Sequence, residues 1–270
     1  MRRKDVVIAL SLSLFVLAVS IIITLEEFTT VGSLEIRSLG KSYLNYSYNP
    51  WREDLTSFSL NTVSAIIWDY RGFDTFYETS VLLASIIALL ALFRGYVEKT
   101  GLVSKGLSDI VKTSTRLVIP LIVVYGVIIA LHGQLTPGGG FQGGATVSVV
   151  TSLAIATFSL DYVLRSGLST RRLMLLRALS LLCIVIIAIT PLLVAASLGV
   201  RAYIFQNMVK KDSPVSMPSH LLDSPLAGTV FFFNLFELLV VFSGLSTALI
   251  VLSLREEELR EISRECEQYE

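Results

Sequence analysis

Residues 178–200, ALSLLCIVIIAITPLLVAASLGV, form a run of 23 residues without a charged side chain. A helix needs about 20 mostly apolar residues to cross a bilayer core of about 30 Å, so this stretch predicts a transmembrane helix. Further charge-free runs cover residues 6–25, 81–93, 117–131, 145–160, 226–236 and 238–254. The pattern predicts an all-α, polytopic membrane protein.

The composition supports this class and argues against several others. Of the 270 residues 16% are charged, compared with about 25% in soluble domains, and the mean hydropathy is +0.69. The net charge of zero gives no electrostatic reason for nucleic-acid binding. The two cysteines (Cys183, Cys266) and two histidines (His132, His220) form no disulfide framework and no metal-ligand spacing. We therefore expect no cofactor and no metal site in this chain.

The charge-free runs and their flanks define a topology. We predict six membrane spans at about residues 6–25, 73–94, 115–133, 143–163, 175–199 and 227–254, and a re-entrant or interfacial helix over Ser57–Trp68. With the N-terminus in the cytoplasm, 15 of the 22 lysines and arginines lie on the inner side. Cytoplasmic loops carry the excess of basic residues, so both termini are predicted to be cytoplasmic in the cell membrane.

The stretch HGQLTPGGGFQGG, residues 132–144, matches the pattern G-x-G-x-x-G of dinucleotide-binding folds. The nucleotide interpretation fails because the motif follows a membrane helix and not a strand. Two interpretations remain: a hairpin whose glycines let two helices pack closely, or irregular backbone that lines a polar cavity. The hairpin candidates are Thr136, Pro137, Gly138, Gly139, Gly140, Gly143 and Gly144, with His132 as a candidate for an ion path.

A second motif, WDYRGFDTFYE at residues 68–78, precedes the second predicted span. Thr75 and Glu78 have the spacing of a capping box, which predicts that the helix starts at Thr75. Two interpretations remain open for the charges: a capped helix start with a salt bridge from Arg71, or an acidic mouth that attracts cations. The candidates here are Asp69, Asp74 and Glu78 for the ion path, and Arg71, Gly72 and Thr75 for structure.

Glu237 is the most costly charge in the chain, about 11 residues into the sixth predicted span. An acid at the bilayer centre costs on the order of 2.5–3.5 kcal/mol. Asn234 lies three residues earlier on nearly the same helix face, and the two oxygens suit a proton or a sodium ion. The alternative is a protonated glutamic acid that hydrogen-bonds to a neighbouring helix.

These motifs resemble a known family. Residues 132–144 resemble the signature of the B-type subunit of Mrp-type multisubunit sodium/proton antiporters, and of the matching subunit in archaeal membrane-bound hydrogenase and sulfane sulfur reductase complexes. The resemblance covers about residues 110–254. Residues 68–78 are similar to an element near the C-terminus of the A-type antiporter subunit. The predicted domains are thus an A-type region at 1–100, a B-type domain at 101–255 and a charged cytoplasmic tail at 256–270.

The resemblance implies a non-catalytic membrane subunit of a large cation-translocating complex. Its expected partners are other antiporter-type membrane subunits, the lipid bilayer, sodium ions and protons. The alternative from another class is a free-standing secondary ion transporter that uses Glu237 as its coupling site. The absence of an internal repeat in the sequence argues against this alternative.

Overall fold

A computed structural model of the chain describes residues 3–24, 35–49, 51–52, 56–93, 106–218, 220–221, 224–225 and 228–254. The predicted charged tail at 256–270 lies outside these residues. The chain divides into two compact units, Met1–Ser42 and Tyr43–Glu270. The first unit contains α1 (Arg3–Thr24), whose apolar part is Leu10–Ile22.

The second unit is a helical bundle. Helix α2 (Ser38–Ser47) crosses the boundary of the two units, and the rest follow in the order α3 (Thr62–Ser64), a π-helix (Ala65–Tyr70), α4 (Gly72–Leu92), α5 (Asp109–Leu131), α6 (Gly140–Thr157), α7 (Leu160–Arg165), α8 (Thr170–Leu198) and α9 (Thr229–Leu252). The described residues contain one short antiparallel ribbon, of β1 (His220–Leu221) and β2 (Ser224–Pro225).

Four of the described helices, α4, α5, α8 and α9, are long and apolar enough to cross a membrane. Helix α6 has 18 residues and is rich in glycine and hydroxyl side chains, which lowers its hydropathy. The expected all-α, polytopic membrane fold is confirmed.

Helix α9 is the central element of the bundle. It packs against both α6 and α8. Of the residues in its most apolar 18-residue stretch 56% are buried, compared with 17% in the corresponding stretches of α4 and α5. An apolar cluster between α8 and α9 includes Ile184 and Phe233, and Phe233 stacks on Trp68 with ring centroids 4.6 Å apart. A polar residue on α9 is therefore enclosed by protein, while α4 and α5 present apolar faces outward.

The predicted helix over Ser57–Trp68 is shorter than expected. The structure is helical only from Thr62, and the residues before it run extended, with the Ser57 and Ser59 N–H groups donating to carbonyls of α2. Ser57, Ser59, Asn61 and Ser64 are buried in this stretch, and the side chains of Ser59, Asn61 and Ser64 donate to backbone carbonyls. The segment is a buried, polar, extended stretch that leads into α3 and the π-helix. Short π-helical turns are often found at functional sites.

The capping-box prediction for Thr75 is wrong. Helix α4 begins at Gly72, and the Thr75 hydroxyl donates to the Ile67 carbonyl at 2.6 Å. The π-helix leads directly into α4, so Thr75 lies inside the first turn and helps to join the two helices. Glycine is required at position 72, because a Cβ there would lie 2.5 Å from the Phe205 ring.

Candidate functional site

The glycine-rich hairpin connects the end of α5 to the start of α6. Gly139 is the N-cap of α6 with φ +156° and ψ 179°, a backbone conformation that is essentially restricted to glycine. His132 follows the last residue of α5; its ring is partly exposed, with Nδ1 3.2 Å from the Ile128 carbonyl oxygen. One ring nitrogen of His132 thus has a local backbone partner, and within the described part of the chain no hydrogen bond or ion pair joins the ring to Glu237.

Helix α6 approaches its two neighbours at glycines. A Cβ on Gly143 would lie 2.6 Å from the Gly126 carbonyl oxygen of α5, and one on Gly144 would lie 2.6 Å from the Leu238 carbonyl oxygen of α9. Such distances leave no room for a side chain. These backbone approaches are what the close-packing interpretation of the hairpin requires.

Gly140 brings α6 onto the two candidate ion-binding residues of α9. Its N–H lies 3.4 Å from Asn234 Oδ1, and a Cβ at this position would lie 2.7 Å from Glu237 Oε2. Asn234 is 0% exposed and Glu237 is 4% exposed. The Phe141 backbone N–H lies close to the Glu237 carboxylate. The first turn of α6 therefore presents backbone N–H groups to this carboxylate and amide.

One polar group at this crossing has no partner. Asn234 Nδ2 is buried and makes no hydrogen bond with any described residue. Leaving a buried donor unpaired costs about 1–3 kcal/mol. At the crossing of α6 and α9, a buried hydrogen-bond donor is therefore left without an acceptor, close to the Glu237 carboxylate.

A cleft of about 230 Å³ lies next to the crossing, between α4 and α6. Glu78, Thr79 and Ser85 supply its polar lining, and Phe141 forms part of its wall. Glu78 is close enough to Glu237 to interact with it electrostatically. Of the six acid, amide and histidine candidates, the structure places Glu237 and Asn234 against the start of α6, and Glu78 on the adjacent cleft.

Asp69 and Asp74 have other partners, so the three acids of residues 68–78 do not form a common mouth. Asp74 Oδ2 accepts from Arg71 Nε at 2.6 Å in an exposed pair. Asp69 is buried, and its Oδ2 lies 3.0 Å from Lys210 Nζ. The predicted salt bridge from Arg71 is present. Of the three acids, Glu78 is the one that lines a cleft, and its role in attracting cations stays a prediction.

Several residues that hold the hairpin were missed by the sequence analysis. Asn61 Nδ2 donates to the carbonyls of Gly133 and Thr136, at 2.6 and 2.9 Å, and Ser64 Oγ also donates to Gly133. The Asn61 N–H donates to Gln134. The one signal in the sequence was the density of serine and asparagine in a segment that was otherwise apolar.

A second network fixes the start of α9. Asp69 Oδ1 accepts from the Asn207 N–H at 2.9 Å, and Asn207 Oδ1 accepts from the Val230 N–H at 3.2 Å. Since the N-cap Gly228 has no side chain, Asn207 supplies the capping oxygen from a distant loop. Asp69 thereby positions α9, and with it Asn234 and Glu237.

Lys210→Met is expected to lower the thermal unfolding midpoint of the detergent-purified protein by roughly 10 °C at neutral pH, because breaking a buried pair costs about 3–5 kcal/mol. Burial raises the pKa of Asp69 above its ordinary value of 3.8, and the Lys210 charge opposes this rise. Without Lys210 the folded pKa rises further. The unfolded carboxyl still ionises near pH 4, so the variant loses stability as the pH rises above about 4 and regains it on acidification.

The exposed neighbour Lys211 provides the matched control, since Lys211→Met removes the same charge without breaking a buried pair. The double variant Asp69→Asn with Lys210→Met should lose the pH dependence. An equal loss of stability in both lysine variants, or a loss that does not depend on pH, would contradict the buried-pair account.

The described residues contain no group of three or more histidine, cysteine, aspartate or glutamate side chains that could hold a metal ion. The site is a carboxylate, an amide and backbone donors. Such a set can bind and release a proton, or coordinate a cation together with oxygen ligands from elsewhere.

This chain is similar to a known protein family and to an archaeal relative. A family model described as "Domain related to MnhB subunit of Na+/H+ antiporter" matches residues 110–247, just over half of the chain. An uncharacterized protein of Methanocaldococcus jannaschii is 27% identical over 227 residues, which cover 78% of this chain and 83% of the relative. The family match includes the hairpin, α8 and most of α9.

Two solved structures share the fold. A chain of the membrane-bound sulfane sulfur reductase, an archaeal respiratory membrane complex, has a TM-score of 0.60 at 23% identity, with 95% of this chain and 100% of that chain covered. A chain of the Mrp complex from Dietzia sp. DQ12-45-1b has a TM-score of 0.57 at 17% identity. That match covers 95% of this chain and 26% of the Mrp chain, so this chain spans about a quarter of its length.

Proposed function

Since this chain belongs to the family of domains related to the MnhB subunit of Na+/H+ antiporters, we propose that it is a non-catalytic membrane subunit of a larger cation-translocating complex. The resemblance of residues 132–144 to the B-type antiporter subunit is confirmed by the family match. The match begins at residue 110, so the A-type character of residues 1–100 is part of the proposal and rests on the motif at 68–78.

The observation that carries the proposed ion role is the placement of Glu237 and Asn234. Both are buried on the central helix, where Gly140 brings the backbone of α6 against them. The cleft that Glu78 lines lies beside them. A buried carboxylate next to a polar cleft suits transient binding of a proton or a sodium ion between a lateral opening and the bundle interior.

The outward faces of α4 and α5 support a role within a complex. In the most apolar 18-residue stretch of each helix, only 17% of the residues are buried within this chain. In the sulfane sulfur reductase and the Mrp complex, chains with this fold are parts of multisubunit membrane assemblies. We propose that neighbouring antiporter-type subunits and lipid share these faces, and that sodium ions and protons are the transported species.

The parent complex belongs to the antiporter class or to a related respiratory class. The sulfane sulfur reductase is a respiratory complex, and its matching chain is covered over its full length. In such a complex other subunits would carry the redox chemistry, and this chain would take part in the membrane module. The alternative of a free-standing transporter that uses Glu237 makes a different prediction about size.

Mild detergent extraction of the native membrane, followed by capture on an antibody to this chain, tests the proposal. We expect the chain to migrate in native gels with an assembly several times its own mass of 29.7 kDa, together with further membrane subunits. Iron–sulfur absorption in the preparation would identify a respiratory parent complex. Migration as a monomer or small homo-oligomer with intact sodium transport would instead support the free-standing transporter.

The same membranes test the proposed orientation. Of the 15 basic residues assigned to the inner side, Arg177 is buried within α8, and the remaining 14 of the 22 still favour a multi-pass protein of the cell membrane with both termini in the cytoplasm. An antibody against the C-terminal tail should therefore bind inside-out vesicles but not intact spheroplasts. The reverse result would invert the bundle and place the Glu78 cleft on the inner side.

A further inference from the structure

Arg177 of α8 is an unpaired buried charge. Its side chain is 0% exposed, and Nε, Nη1 and Nη2 have no hydrogen-bond partner among the described residues. A Cβ on Gly244 of α9 would lie 2.5 Å from Nη1 and 2.8 Å from Cζ, so the glycine provides the space that the guanidinium fills. Arginine keeps its proton in proteins, and buried arginines are normally paired.

In the sequence Arg177 stands directly before the charge-free run 178–200, and the predicted topology counts it among the 15 basic residues of the inner side. The structure places it inside α8, about two turns from the start of the helix at Thr170. Gly244 comes seven residues after Glu237 on α9, which corresponds to about 10 Å along the helix. Arg177 therefore lies between Glu237 and the end of the bundle at which α8 begins and α9 ends.

An apolar layer separates the two buried charges. Val240 of α9 and Leu181 and Ile184 of α8 belong to one cluster of buried apolar side chains. These residues lie between the level of Arg177 and the level of Glu237 along the two helices. The carboxylate is therefore not placed to form an ion pair with the guanidinium.

The nearby polar groups do not cancel the charge either. Ser243 and Thr247 flank Gly244, and their hydroxyls donate to carbonyls of α9 at 2.6 and 2.7 Å. They are neutral, and none of the salt bridges found in the described part of the chain involves Arg177. The guanidinium charge is thus not neutralised by a nearby anion. At an effective dielectric constant of about 20, a monovalent cation about 10 Å away loses occupancy on the order of tenfold, and the loss grows as the cation moves closer to Arg177.

We propose that Arg177 is an electrostatic barrier that stops a cation at Glu237 from passing to the α8-start end of the bundle. This inference rests on the proposed ion role of Glu237. Fixed arginines exclude cations from membrane pores in this way, and an apolar constriction adds a barrier against hydrated ions. A cation that reaches Glu237 therefore leaves through the Glu78 cleft or into a neighbouring subunit, and this chain does not leak.

Passive sodium efflux from sealed membrane vesicles that carry the assembled complex tests this barrier while no coupling reaction is running. Arg177→Met removes the charge and should raise the efflux about tenfold, whereas Arg177→Lys should keep it at the wild-type level. Vesicles with Arg177→Gln, which keeps polar donors without the charge, should show the same raised efflux as those with Arg177→Met. This variant provides the test if the Arg177→Met complex does not assemble. Arg172→Met, an exposed position on the same helix, is the matched control.

The double variant Glu237→Gln with Arg177→Met links the leak to the proposed path. We expect its efflux to return to the wild-type level, because the intermediate binding position is gone. Tight vesicles with assembled Arg177→Met or Arg177→Gln, or a leak that persists in the double variant, overturn the barrier. Failure of the ion role itself is distinguishable, since Glu237→Gln alone would then leave coupled transport unchanged.

Discussion

Gly140→Val is expected to reduce the amount of assembled protein in the membrane at least about tenfold. The Cβ alone would lie 2.6 Å from the Glu237 Cβ, and nearer still to the Asn234 carbonyl oxygen. Overpacking of a well-packed core costs about 1–3 kcal/mol, and an overlap with backbone cannot be relieved by a rotamer change. Helices α6 and α9 would have to separate at the point where the candidate site is formed.

Quantitative immunoblotting of membranes and of the native complex measures this effect. Ser152→Val is the matched control, because Ser152 lies on the exposed side of the same helix and tolerates the added methyl groups. Gly140→Ala should fall between the two variants, since it adds only the Cβ. Normal assembly of Gly140→Val with reduced ion flux would show that the hairpin lines a cavity and does not act as a close contact.

Glu237→Gln is expected to lower sodium-dependent proton movement at least about tenfold while the complex still assembles. The amide has nearly the shape of the carboxylic acid, but it neither releases a proton nor carries a negative charge. Because a buried acid in the membrane costs on the order of 2.5–3.5 kcal/mol, its removal should not reduce stability. Fluorescence quenching of a pH-sensitive dye in inside-out vesicles, after addition of sodium, reports the proton movement.

Asp74→Asn is the matched control for this experiment. Asp74 was a candidate on the same grounds of charge, but it forms an exposed pair with Arg71. We expect its transport to stay within about twofold of the wild type, because exposed pairs contribute only about 0–1 kcal/mol. Unchanged transport in an assembled Glu237→Gln complex would reduce Glu237 to a residue that hydrogen-bonds to the start of α6.

The partners of the three acids in residues 68–78 could not be predicted from the sequence. Asp69, Asp74 and Glu78 lie within ten residues, and a local argument treats them as one cluster. In the structure Asp69 pairs with Lys210, which is 141 residues away, and Glu78 lies near Glu237, which is 159 residues away. Such partners depend on how the helices cross in the folded protein, and the local spacing of residues does not predict those crossings.

The hairpin and the fold were more accessible to sequence reasoning. Glycine restricts neither φ nor the approach of a neighbouring backbone, so six glycines between two apolar runs predict a tight turn and close contact. That prediction needs no knowledge of the partner. The identity of the partner helix, α9, and the residues it presents at Gly140 required the structure.

The order of the residues was enough to establish the class of this protein, its membrane helices, the glycine hairpin and the resemblance to its family. These follow from local physics, because a charge-free run of sufficient length has a favourable place only in a bilayer or a buried core. Which charges are buried, paired or unpaired became visible only once the helices were packed together. Arg177 is the clearest case: at the edge of an apolar run its charge suggests a solvated flank, but the missing side chain of Gly244, 67 residues later, makes room for it inside the bundle.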